Sequence, residues 1–66
     1  MSVGSNIRRI RENKGLSQVY VAEQIGVTQS MLCQVERGTK SPSLQLSVEI
    51  AEVLGCTLDD LARDNA

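Results

Sequence analysis

Few side chains in this 66-residue sequence could do covalent or proton-transfer chemistry. There is no histidine, which removes the usual proton shuttle and the commonest metal ligand together. The two cysteines, Cys33 and Cys56, stand 23 positions apart without a CxxC pairing. A zinc site needs about four ligands at short spacings, so no metal is implied, and no cofactor either. The carboxylates form no paired acid–base arrangement and no glycine-rich loop could cradle a phosphate, which argues against an enzyme. Tyr20 is the only aromatic residue, so the chain has no platform for stacking single-stranded bases. Seven basic and eight acidic residues leave a formal charge of −1, which taken whole is not that of a strongly basic nucleic-acid binder. What remains is recognition by surface side chains.

The elements that must present those side chains are helices. Hydrophobic residues make up 41% of the chain, enough for the core of one small domain spanning residues 1–66. Gly15, Gly26, Gly38 and Gly55 each follow a stretch of helical periodicity, where glycine takes the left-handed conformation that ends a helix. The first helix is expected from about Ser5 to Lys14, with Val3, Ile7 and Ile10 on one stripe. Ser17 and Thr28 read as N-caps of the second and third helices. The fourth, roughly Ser43 to Leu54, is apolar on two faces: Leu46, Ile50, Val53 and Leu54 on one, Leu44, Val48 and Ala51 on the other. Thr57 caps a fifth, with Asp59 and Asp60 in its first turn, and residues from Arg63 to Ala66 are expected to fray. No strand pattern appears, so the fold is all-α with five helices. The N-terminus has no apolar signal-peptide core and no run is long enough to cross a membrane, so a reducing cytoplasm and free thiols are expected.

Residues 17 to 37, SQVYVAEQIGVTQSMLCQVER, join two helices through a corner of only Gly26 and Val27. Two helices crossing so closely need a small contact, which Ala22 supplies, while Val21, Ile25, Val27, Leu32 and Val35 form their mutual core. A small residue, a glycine turn and apolar positions at these offsets are the pattern of a DNA-binding helix-turn-helix.

The series Leu16-Ser17-Gln18, Val21-Ala22, Ile25-Gly26-Val27-Thr28-Gln29, Leu32 and Val35-Glu36-Arg37-Gly38 resembles the lambda-repressor-like family of Cro, cI and XRE-type regulators. Pro42-Ser43-Leu44, Ile50-Ala51, Leu54-Gly55 and Leu58-Asp59-Asp60-Leu61 match that family's second half, so the resemblance covers residues 5 to 62. Val19 and Tyr20 depart from it, standing where the family usually has polar residues, and Leu46-Ser47 reverses its more common order.

The resemblance implies that the second helix of the motif lies in a major groove of double-stranded DNA. Gln29, Ser30, Cys33 and Gln34 would then face base edges, and a glutamine amide can donate and accept against adenine N6 and N7 together. Gln18, Thr28, Arg37, Thr39, Lys40 and Ser41 are the candidates for contacts to the phosphate backbone. Arg9 and Lys14 are weaker candidates, since a charge on a short helix is usually just solvated. Arg11 and Glu36 match a family pair that bridges helices one and three and fixes the scaffold. Cys33 on the DNA face could make binding redox-sensitive, but with only Arg37 nearby its thiolate is poorly activated.

A domain this small gains stability by association, and Leu44, Val48, Leu58, Leu61 and Ala62 are the residues expected at a homodimer interface. The function expected is a sequence-specific DNA-binding transcriptional regulator that reads a palindromic operator and blocks or touches RNA polymerase there. The alternative is a protein-binding antitoxin or antagonist on the same fold. Charge is divided to match: residues 1–40 carry a net +3 and residues 41–66 a net −4.

Overall fold

Every helix opens on a hydroxyl side chain. Ser2, Ser17, Thr28, Ser43 and Thr57 each sit in extended backbone and accept a hydrogen bond from the N–H three residues on. Each such cap satisfies an otherwise orphaned donor and is worth about 1 kcal/mol. The computed structural model describes residues 2–63, so most of the tail expected to fray, residues 64–66, lies outside the described residues. The five helices are α1 (Val3–Asn13), α2 (Gln18–Ile25), α3 (Gln29–Arg37), α4 (Leu44–Leu54) and α5 (Leu58–Ala62). The described residues contain no strand.

One boundary differs from the sequence expectation. α1 begins at Val3, two residues before Ser5, because Ser2 and Ser5 form a reciprocal capping box. Gly4 therefore lies inside the first turn of α1. A Cβ there would stand 2.1 Å from the carbonyl oxygen of Val35 and 2.8 Å from that of Glu36. The missing side chain lets α1 lie directly on the backbone of the last turn of α3.

α1 packs on α3 and α5, and α2 on α3 and α4. Ile7, Val21, Leu32, Val35, Ile50, Leu54 and Leu61 are fully buried between them. Ala22 is buried where α2 and α3 cross, as its size requires. Asn6 is also buried, and its amide donates to the carbonyls of Leu61 and Arg63, both at 2.8 Å. That clasp holds the C-terminal end of α5, whose last carbonyls have no helical partner. The reversed pair in α4 is accommodated simply: Leu46 is buried, and the Ser47 hydroxyl donates back to the Ser43 carbonyl.

Candidate nucleic-acid interface

The site is built on the corner between α2 and α3. Gly26 has φ 73°, a left-handed conformation that costs glycine nothing and turns the chain within two residues. Thr28 then caps α3, spending its hydroxyl on the Met31 N–H. Both helices start on the same side of the molecule, so Gln18 and Gln29, the first residues of each, meet there.

Beneath this corner lies an ion pair. Arg11 Nε donates to Glu36 Oε2 at 2.7 Å, and a second guanidinium nitrogen donates to Oε1 at 3.1 Å. Both residues are buried, and Arg11 also donates to the Leu16 carbonyl at 2.8 Å. The bond to Glu36 is the main reason the guanidinium pKa is raised above its ordinary value, against a smaller loss from burial. The pair is thus the scaffold bridge between α1 and α3 that the resemblance implies.

A polar chain runs outward from it. Gln18 Nε2 donates to Glu36 Oε1 at 2.9 Å, and Gln29 Nε2 reaches the Gln18 side-chain oxygen at a longer 3.4 Å. Gln18 is therefore oriented from below, while the remaining hydrogen-bonding capacity of Gln29 faces solvent. One surface cleft of about 370 Å³ is lined by Gln18, Gln29, Ser30, Cys33, Gln34 and Arg37. All four expected base-facing residues fall in it, together with two of the expected backbone-contacting residues. A neighbouring cleft of about 530 Å³ shares Gln18, Gln29, Cys33 and Arg37 and adds Arg8 and Val19.

Other expected residues lie elsewhere. Thr39, Lys40 and Ser41 are exposed in the loop after α3 but line neither cleft, and the Thr39 hydroxyl is bonded to the Gln34 carbonyl. Arg8 was not singled out by sequence, since a cation on α1 carries no signal of facing α3. Its pairing with Glu12 at 3.3 Å is solvent-exposed, so the guanidinium is only loosely held. Among the residues expected at an interface between copies, Leu44 is 75% exposed, Leu58 39% and Val48 half-buried, and Ala62 is exposed. Leu61 is instead 2% exposed, because it fills the core beneath α5.

Five helices with a capped helix pair presenting glutamines beside cations define a DNA-binding helix-turn-helix domain. The chain belongs to the helix-turn-helix family, whose model matches residues 7–61. It is 42% identical over 53 residues to the uncharacterized HTH-type transcriptional regulator y4dJ of Sinorhizobium fredii, covering 80% of this chain and 69% of that one. It is 38% identical over 55 residues to the immunity repressor protein of Bacillus phage phi105, covering 83% of this chain but only 38% of the repressor. Among solved structures it superimposes on the biofilm master regulator SinR in complex with DNA. There the TM-score is 0.82 at 33% identity, over 89% of this chain and 95% of that one. The chain is accordingly a DNA-binding transcriptional regulator of the XRE and repressor type, not an enzyme. No described helix is long and apolar enough to cross a membrane.

Proposed function

We propose that two copies of this chain bind a near-palindromic operator in the cytoplasm and act as a repressor or autoregulator. The observation that carries this reading is the single cleft holding Gln18, Gln29, Ser30, Cys33, Gln34 and Arg37. With α3 in a major groove, the Gln29 and Gln34 amides suit adenine N6 and N7, and Ser30 suits either kind of edge. Cys33 is small and half-buried, which lets a base edge approach the helix closely. Gln18 and Thr28, at the starts of α2 and α3, offer backbone N–H groups to phosphates, and Arg37, Thr39, Lys40 and Ser41 flank them. The likeness to the DNA-bound SinR structure supports a duplex as the partner.

Exposed Leu44 and Leu58, with Val48 and Ala62, supply an apolar surface on α4 and α5 for association of two copies. A two-fold dimer would set two α3 helices about 34 Å apart, one turn of B-DNA. Occupying a promoter in this way would block RNA polymerase.

The test is a salt-titrated anisotropy measurement on duplexes taken from around the protein's own gene. The basic excess is small, so neutral donors and helix N-termini carry much of the phosphate contact. A plot of log affinity against log salt should therefore be much shallower than the slope of about −10 seen when about ten phosphates are neutralised. Failure to bind any duplex at low salt overturns the proposal.

A further inference from the structure

A third cleft, of about 330 Å³, lies between the C-terminal half of α1 and the turn joining α4 to α5. It shares no residue with the two clefts at the α2–α3 corner. Arg9, Lys14 and Arg63 line it, in a chain whose overall charge is negative. Arg9 Nε is buried and has no hydrogen-bond partner among the described residues. The Arg9 side chain as a whole is half-buried, and a buried donor atom without an acceptor carries a cost that an incoming anion would relieve. Among the described residues, neither Arg9 nor Lys14 has a carboxylate within ion-pair distance. Lys14 Nζ hangs over the turn, 3.7 Å from where a Cβ on Gly55 would stand.

The cleft carries one negative charge of its own, that of Asp60, whose pKa is lowered first by hydrogen bonds from Thr57 and further by the cations Arg63 and Arg9. Asp60, the carboxylate that lines the cleft, accepts the Thr57 N–H at 3.0 Å in the cap of α5. Asp59 pairs with Arg63 on the outer surface. Cys56 presents a neutral thiol, its pKa raised chiefly by burial and secondarily by Asp60. No aromatic ring lines the cleft, so a nucleobase would find nothing to stack on.

We propose that this cleft is a binding site for a compact, phosphate-bearing small anion, held by Arg9 and Lys14. A free anion is favoured over a nucleic-acid backbone because the cleft is separate from the surface assigned to DNA.

The experiment is an amide-resolved NMR titration of the full chain with inorganic pyrophosphate at constant ionic strength. Saturable shifts are expected at Gly55, Cys56 and Asp60, weakened at least tenfold by Lys14→Gln and by Arg9→Gln and unchanged by Arg8→Gln. Lys14 is exposed, so its variant tests the site even if Arg9→Gln fails to fold. Equal shifts with sodium chloride, shifts that do not saturate, or full binding by Lys14→Gln would overturn the proposal. A parallel titration with a short duplex should leave these three amides in place. Movement there, abolished by Lys14→Gln, would contradict a small-molecule source.

Discussion

Gln18 Nε2 donates to Glu36 Oε1 across 2.9 Å, tying the first residue of α2 to a buried carboxylate on α3. The same carboxylate oxygen accepts from Arg11, so a single atom links the scaffold pair to the surface proposed to meet DNA. Gln18→Ala should therefore loosen the orientation of Gln29 without unfolding the chain. The expected outcome is weaker duplex binding with a melting temperature within a few degrees of the parent, since a half-exposed hydrogen bond is worth about 1 kcal/mol. Anisotropy and thermal melting together check this. A large loss of stability with unchanged binding would contradict it.

The Arg11–Glu36 pair is a different matter, because both partners are buried. Replacing Glu36 with Leu strands a buried guanidinium and should cost about 3–5 kcal/mol. In a small domain that is a large share of total stability. Replacing both residues with apolar ones, as in Arg11→Met with Glu36→Leu, should cost less than the two single changes summed. Denaturant unfolding of the four proteins measures the coupling, and strict additivity would contradict a direct pair.

Gly4→Ala tests the contact between α1 and α3. Alanine is the better helix former, so propensity alone would give a gain of about 1 kcal/mol. The added Cβ would meet backbone oxygen at 2.1 Å, and backbone cannot swing aside as a flexible side chain can. Overpacking of this kind costs about 1–3 kcal/mol and should win, lowering the denaturation midpoint. A raised midpoint would mean that α1 does not lie on α3 as described.

Asp60 gives a pH dependence with a definite sign. Its pKa is lowered, first by the Thr57 backbone N–H and then by the Thr57 hydroxyl. A carboxylate depressed in the folded state stabilises fully above its unfolded value of about 3.9 and loses that contribution as pH falls through the lower folded value. Asp60→Asn should melt lower than the parent at neutral pH, and the difference should shrink as acid protonates Asp60 in the parent. Thermal melts across the acid range check this, and a constant difference would contradict it.

Much of this was legible in the sequence because it is local. Ser17, Thr28 and Thr57 read as caps, and each hydroxyl is found on the expected N–H. The corner at Gly26 and the buried Val21, Ala22, Ile25, Leu32 and Val35 follow from spacing alone. The long-range features were harder. Gly4 precedes the first helix expected from about Ser5, and only the backbone of α3 explains why a glycine stands there. Asn6 stands within the stripe formed by Val3, Ile7 and Ile10, and a polar residue there was the available sign of a buried clasp. A five-residue helix has too few positions to show which side is inward, so the interface expected at Leu61 gives way to a place in the core. A place at a helix start suggests a phosphate contact for Gln18 and says nothing of a carboxylate eighteen positions away.

The most direct measurement is selection of bound duplexes from a randomised pool by the parent and by a Gln29→Ala, Gln34→Ala double variant. The parent should enrich two related half-sites with centres about 10 base pairs apart. The double variant should keep weak non-specific binding but lose or change the preference at the bases those amides face. An unenriched parent pool, or the same preference in the double variant, would contradict the assignment of α3 as the element that reads sequence.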